Sequence, residues 1–225
     1  MILSKIQFMK KIVLSLLIFL LFITNVNCQS VGDLIKSGIE KSDKKDFKGA
    51  IVDFDKAIQM DSNSVLALFK RGYAKLMTGD PHGAYDDYSC IIKIKPDSAT
   101  VYTYRGYASF AQGFSQQALA DYAKAIELNS KEFDAYNNRA IMKRMMNNDA
   151  GALADYDSAI KIKPDFAYGY FCRAALRRDL DDNKGSIADY SKCIDLNINN
   201  ERSHIFRGEV RSETGDEKGV YILIP

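Results

Sequence analysis

The chain has no tryptophan, two histidines, four prolines and four cysteines among its 225 residues. With so few prolines and only 14 glycines, a loop-rich all-β fold is excluded. The histidines, His82 and His204, lie more than a hundred positions apart, so neither a shared metal site nor a His-centred acid–base pair is expected. Four cysteines without a C-x-x-C pair do not make a disulfide framework. Charge of one sign is also missing. The 31 basic and 29 acidic residues give a formal net charge of +2, which is no electrostatic footprint for nucleic acid. Neither G-x-S-x-G, a P-loop nor G-x-G-x-x-G occurs. The expectation is therefore a protein that is not an enzyme, with no catalytic residues, no cofactor and no metal. At 47% hydrophobic and 27% charged, the composition is that of an ordinary globular chain.

One long apolar run is present. Lys5, Lys10 and Lys11 precede it, it extends from Ile12 to Ile23, and the chain then turns polar at Thr24-Asn25-Val26-Asn27-Cys28-Gln29. This is the pattern of a secretory signal peptide over residues 1–28, with Met9 as an alternative start. The run falls short of the roughly 20 residues that cross a bilayer, which makes a permanent anchor the weaker reading. Cleavage after Cys28 is expected. The alternative is lipidation of Cys28, since Val26-Asn27-Cys28 loosely matches a bacterial lipobox. Either route gives an exported protein, located in the periplasm, in the cell envelope or secreted, with an outer-membrane lipoprotein as the variant reading. Membrane contact is expected only through this segment or that lipid. Without the leader, which holds no acid, the remaining chain is one charge negative. Cys90, Cys172 and Cys193 then remain; packing as small core residues accounts for all three, and Cys172 with Cys193 is the one pair placed to bridge.

What the sequence does have is a strict internal period. Arg71, Arg105, Arg139, Arg173 and Arg207 keep a constant spacing, each number 34 above the last, as do Asp53, Asp87, Asp121, Asp155 and Asp189. Each of these aspartates precedes an aromatic, Phe54, Tyr88, Tyr122, Tyr156 or Tyr190. Four positions before the aromatic stands Ala50, Ala84, Ala118, Ala152 or Ser186, and four after it Ile58, Ile92, Ile126, Ile160 or Ile194. Taking Val31 as the start, the units are 31–64, 65–98, 99–132, 133–166 and 167–200. Residues 201–214 supply a sixth first helix that serves as a cap, and 215–225 form an apolar tail. Each unit reads as two amphipathic helices; in the third, Ala118, Tyr122, Ala125 and Ile126 share one face. Turn chemistry separates the two helices at Gly79-Asp80-Pro81, Gln112-Gly113, Asn147-Asn148-Asp149, Asp181-Asp182-Asn183 and Gly215-Asp216. Asp179-x-Asp181-x-Asn183 lacks the glycine and closing acid of a calcium loop and reads as an acidic turn. The small residues Gly38, Gly72, Gly106, Ala140 and Ala174 are expected to face the Ala50 column across the helix pair.

Leu-x-x-Arg-Gly, then Ala-x-x-x-Phe/Tyr, then Pro, at this period, resembles the tetratricopeptide-repeat (TPR) family over residues 31–214. Lys41, Lys75, Ser109, Lys143 and Arg177 stand where the family has a tyrosine. The resemblance implies an all-α fold: a right-handed α-solenoid of antiparallel helix pairs, with five full repeats and a terminal capping helix. It also implies that the first helices line a concave groove for extended peptides or partner helices. By helical phase the groove residues are Leu66, Phe69, Tyr73, Leu76, Thr103, Tyr107, Phe110, Asn137, Ile141, Arg144, Tyr168, Phe171 and Arg178. At the positions of the clamp with which some members hold a terminal carboxylate stand Ile35, Ile39, Lys70, Thr100 and Tyr104, so that clamp is missing.

The Arg and Asp columns read as a structural ladder. Pairing inside a repeat would strand Asp53 and Arg207. Pairing across the seam, Asp53 with Arg71 and each later pair alike, strands neither, so contact across the seam is expected. The function implied is a non-catalytic scaffold that binds a protein or peptide partner. The alternative is a self-associating assembly component of the cell envelope, forming a homo-oligomer through the C-terminal end.

Overall fold

The computed structural model describes residues 29–196 and 201–215. The leader with Cys28, the linker 197–200 and the tail 216–225 lie outside the described residues, as do the expectations placed on them. Among the described residues there are eleven helices and no strand. They are α1 Val31–Asp43, α2 Phe47–Met60, α3 Val65–Met77, α4 Pro81–Ile94, α5 Ala99–Ala111, α6 Ser115–Leu128, α7 Phe133–Met145, α8 Asp149–Ile162, α9 Ala167–Asp179, α10 Asn183–Asp195 and α11 Glu201–Glu213.

Local chemistry sets the helix ends. A capping box opens α1: Asp33 N–H donates to Ser30 Oγ at 3.1 Å, and Ser30 N–H donates to the Asp33 carboxylate at 3.1 Å. Within most later hairpins an Asp or Asn accepts from the amide three positions on. Asp46 takes Gly49 N–H at 2.9 Å, Asp80 takes Gly83 at 2.8 Å, Asn148 takes Gly151 at 3.0 Å and Asp182 takes Gly185 at 3.0 Å. The residue ahead of this cap has left-handed backbone: φ is +81° at Gly79 and +83° at Gly113, with Lys45, Asn147 and Asp181 in the same region. The turn at each hairpin is thus one construction repeated.

The chain divides into two compact units, one ending at Ala67 and the other beginning at Leu68. In the first, Leu34, Ile35, Ala50, Phe54, Ala57 and Ala67 form the core. A Cβ on Gly38 would lie 2.5 Å from the Phe54 ring. In the second unit the helices pack pairwise and in series, α5 on α6, α7 on α8 and α9 on α10, with each of these first helices also touching the second helix before it. A Cβ on Gly72 would come within 2.9 Å of Tyr88, and one on Gly106 within 2.7 Å of Tyr122. The small column therefore makes room chiefly for the buried ring of the partner helix, rather than for the alanine expected there. That ring also reaches the next hairpin: Tyr88 lies 5.7 Å from Tyr104, and Tyr190 5.9 Å from Phe206.

The ladder pairs differently from the expectation. Arg71 holds Asp87 through Nε at 3.0 Å and Nη2 at 2.5 Å. Arg105 holds Asp121 at 2.9 and 2.7 Å, Arg139 holds Asp155 at 2.8 and 2.8 Å, and Arg173 holds Asp189 at 2.8 and 2.7 Å. Each pair closes its own hairpin and not the seam. The seam pairing follows from end groups that would otherwise be stranded, and neither is stranded. Asp53 accepts from Ser37 Oγ at 2.6 Å and Lys41 Nζ at 2.6 Å, while Arg207 donates to Ser191 Oγ at 3.2 Å.

A second cation one helical turn after the Arg column completes the arrangement. Lys75 reaches Asp87 at 3.0 Å, Lys143 reaches Asp155 at 2.8 Å and Arg177 reaches Asp189 at 2.9 Å. In the third repeat, where Ser109 takes that position, Gln117 donates to Asp121 at 3.2 Å instead. Each carboxylate, almost fully buried, thus has the donors that a buried charge needs. The guanidiniums gain a second partner in an aromatic face: Arg105 lies 5.3 Å from the Tyr102 ring centre, and Arg139 and Arg173 lie 5.5 Å from Tyr136 and Tyr170.

A double-mutant cycle measured by denaturant unfolding checks the pairing. Arg105→Ala should cost about 3–5 kcal/mol, because it leaves Asp121 buried with its charge uncompensated. Its effect should be strongly non-additive with Asp121→Ala and additive within about 0.5 kcal/mol with Asp87→Ala. The reverse order would restore the seam pairing.

Candidate partner groove

Four columns of the first helices, each repeating at the sequence period, meet along one face of the unit that begins at Leu68. Tyr73, Leu76, Thr103, Tyr107, Asn137 and Tyr168 come together in one pocket of about 320 Å³, with Met77, Tyr104, Asp134, Asn138 and Phe166. Ile141, Arg144, Tyr168 and Phe171 line a second of about 450 Å³, with Met145, Tyr156 and Cys172. Tyr168 belongs to both, so nine of the thirteen residues expected on this face lie in two adjoining pockets. The aromatic walls are open to solvent: Tyr73 is 37% exposed, Tyr107 47% and Tyr168 54%.

The other four lie elsewhere. Leu66 belongs to the unit ending at Ala67 and is half exposed. Phe69 sits edge-on between Tyr88 at 5.7 Å and Tyr104 at 5.1 Å, inside the aromatic packing of the hairpins. Phe110 packs onto the core of Ala118, Tyr122 and Met142. Arg178 lies 5.1 Å over the Phe206 ring and pairs with Glu209 at 3.4 Å. For Phe69, Phe110 and Arg178, helical phase gives the right side of the helix, but the neighbouring hairpin engages the side chain. Two of the nine are floor rather than wall. Thr103 is buried, with its hydroxyl bonded to Ala99 C=O at 3.2 Å, and Asn137 is 2% exposed.

Asp134 and Tyr104 also line the first pocket and are absent from the set expected by helical phase, although phase does point to the column of Asp134. Asp134 falls in the column of Leu66 and Tyr168, and Tyr104 in that of Lys70, Asn138 and Cys172; both columns are visible in the repeat. Asp134 sits at the pocket edge. Loss of solvent around its carboxyl, and then repulsion from Glu132, raise its pKa, with Lys163 acting in the opposite sense. Arg144, in the second pocket, is ion-paired to Asp179.

Cys172 and Cys193 are buried free thiols, and Cys90 is an exposed one. Burial pushes the pKa of Cys172 and of Cys193 up to about 11. The Cys193 thiol donates to Ala167 C=O at 3.2 Å.

No family model and no curated protein matches the chain. Solved structures do. MamA is 27% identical, with 71% of this chain and 94% of that one covered at a TM-score of 0.60. A thermophilic TPR protein of Thermus thermophilus is 15% identical over 80% of this chain and 98% of its own, at 0.69. PilW, described as a widely conserved type IV pilus biogenesis factor, is 15% identical over 85% of this chain and 89% of its own, at 0.74. The fold of this chain is therefore the TPR-like stack of helix pairs that its repeats resemble.

The thiols give a direct check on the packing. In a chain beginning at Gln29, a maleimide at pH 7 should label Cys90 first, and Cys172 and Cys193 at least about a hundredfold more slowly until the protein is unfolded. Equal rates at all three would contradict the burial described.

Proposed function

We propose that this protein is a non-catalytic interaction scaffold that holds a segment of a partner protein in the groove of its first helices, and that it works outside the cytosol. The observation that carries the reading is the row of Tyr73, Tyr107 and Tyr168, three rings from separate hairpins with 37% to 54% of their surface exposed along one face. The rings of the second helices, Tyr88, Tyr122, Tyr156 and Tyr190, are almost completely buried, so this fold has positions that hide a tyrosine, and the groove leaves three open. Rigid, partly exposed aromatics set in pockets are the residues that dominate binding energy in interfaces. The repeated hairpins supply the stiffness, so a bound segment bears most of the ordering cost. The export reading rests on the basic and apolar leader over residues 1–28.

Affinity capture from the envelope fraction, with wild type beside Tyr73→Ala/Tyr107→Ala, tests the groove. Each truncation should weaken a partner by about 2 kcal/mol or more with little change in Tm, so the doubly substituted chain should lose partners that the wild type retains. Identical captured sets would overturn the assignment. Intact mass of the exported protein tests the leader: a chain beginning at Gln29 is expected, and an acylated Cys28 would replace simple cleavage with a lipid anchor. Retention of residues 1–28 on a cytosolic protein would contradict export.

A further inference from the structure

We propose that the pocket between Tyr73 and Tyr168 receives a basic side chain, an arginine or a lysine, from the segment the groove binds; this rests on the groove reading above and names the partner's chemistry. One buried acceptor beside this pocket is unmet. Asn137, 2% exposed, lies in the pocket floor, and its Oδ1 has no hydrogen-bond partner among the described residues. A buried carbonyl-type oxygen left unpaired is costly. Although this atom is itself closed to solvent, the residue that carries it lines a cavity open to a ligand, so a turn of the side-chain amide would present it there. The second acceptor is Asp134, in the first turn of α7 one helical turn before Asn137 and lining the same pocket. Its side chain is exposed, and among the described residues it makes no hydrogen bond or ion pair, so its charge is free to meet a ligand. The buried ladder aspartates Asp87, Asp155 and Asp189 are instead each already held by two cationic side chains.

The nearby cations are already engaged. Arg144 pairs with Asp179 and Arg178 with Glu209. Lys163, whose charge reaches Asp134, is seated 4.4 Å over the Phe133 ring. The pocket therefore presents an exposed carboxylate and the rings of Tyr73, Tyr104, Tyr107 and Tyr168 over the unpartnered Asn137 amide, with no donor of positive charge among its lining residues.

Three kinds of side chain could enter, and two leave something unsatisfied. An acidic one meets Asp134 and Glu132 with like charge. An aliphatic one covers the rings but removes water from Asp134 without replacing its hydrogen bonds. A guanidinium or ammonium donates to the Asp134 carboxylate, and to the Asn137 oxygen once that amide turns toward the pocket, while its stem and charge lie against the aromatic faces. A volume of about 320 Å³ is at the small end of the range for ligand pockets, which suits one long side chain.

The test is an NMR titration of the chain beginning at Gln29 with capped pentapeptides, glycine throughout except for arginine, lysine, leucine or glutamate at the centre. The arginine and lysine peptides should shift the Asn137 side-chain amide and the groove tyrosines saturably, at least tenfold more tightly than the leucine peptide, with the glutamate peptide weaker still. Asp134→Asn should lower arginine-peptide affinity tenfold or more with Tm retained, and Asp134→Glu should recover part of it. Equal affinity for the leucine or glutamate peptide, no saturable binding of the arginine peptide at millimolar concentration, or full affinity in Asp134→Asn would each overturn the proposal. The two readings fail separately. Loss of captured partners in Tyr73→Ala/Tyr107→Ala, combined with an indifferent peptide series, leaves the groove standing and removes only its preference for a cation.

Discussion

The structure depends on one packing event made once in every hairpin: an aromatic ring from the second helix lies against a residue of the first helix that has little or no side chain. Phe54, Tyr88, Tyr122, Tyr156 and Tyr190 are at most 1% exposed. For three of them the facing residue is a glycine whose missing Cβ the ring has replaced. That contact brings the two backbones close and holds them at a fixed separation, since a close-packed interior tolerates neither a gap nor an extra methyl group cheaply. Other features follow from it. The Arg and Asp columns come within bidentate reach only because the helices are this near. The far edge of the ring is free to meet the next hairpin, as Tyr88 meets Tyr104. The first helices of the unit beginning at Leu68 are left side by side, and the groove lies on them.

Much of this is legible in the letters, because a strict period removes the usual ambiguity of single-sequence reading. First helices begin at Val31, Val65, Ala99, Phe133, Ala167 and Glu201, the same beat that the Arg column carries. The hairpin turns are legible too, as Gly79 and Gly113 occupy left-handed backbone and Asp80 and Asp182 cap the helices that follow. The ladder's pairing is not. Arg105 has Asp121 after it and Asp87 before it, and both are symmetric about a turn, so height along the helices does not choose between them. Apparent orphans favour the seam, but Ser37 with Lys41, and Ser191, serve as partners at the two ends. The basic column one turn after the arginines holds the missing information: the cations placed there reach the Asp of their own hairpin.

The groove is legible as a side of the helix, and less so as a set of residues. Phase alone cannot tell an exposed ring from one covered by a neighbour, which is why Phe69 and Phe110 turn out to be packing while Tyr73 and Tyr107 are open. Nor does it reveal the contrast in polar bonding. The ladder satisfies every carboxylate it buries, whereas among the described residues the buried Asn137 oxygen and the solvent-exposed Asp134 carboxylate, one turn apart on α7, have no hydrogen-bond partner. The Tyr88 and Tyr190 hydroxyls and the Ser109 and Ser186 hydroxyls are also buried without partners among the described residues, and what sets the Asn137 oxygen apart is that its residue lines the pocket between Tyr73 and Tyr168.

Because the ring-in-notch contact spans both helices of one hairpin and touches the next, its removal should be felt beyond its own helix. Native-state hydrogen exchange on Tyr122→Ala measures this most directly. The substitution should cost about 3–5 kcal/mol, and amides of α5, α6 and α7 should lose protection together while those of α10 keep more of theirs. Loss confined to α6, with α5 and α7 as protected as in the unsubstituted chain, would contradict the account.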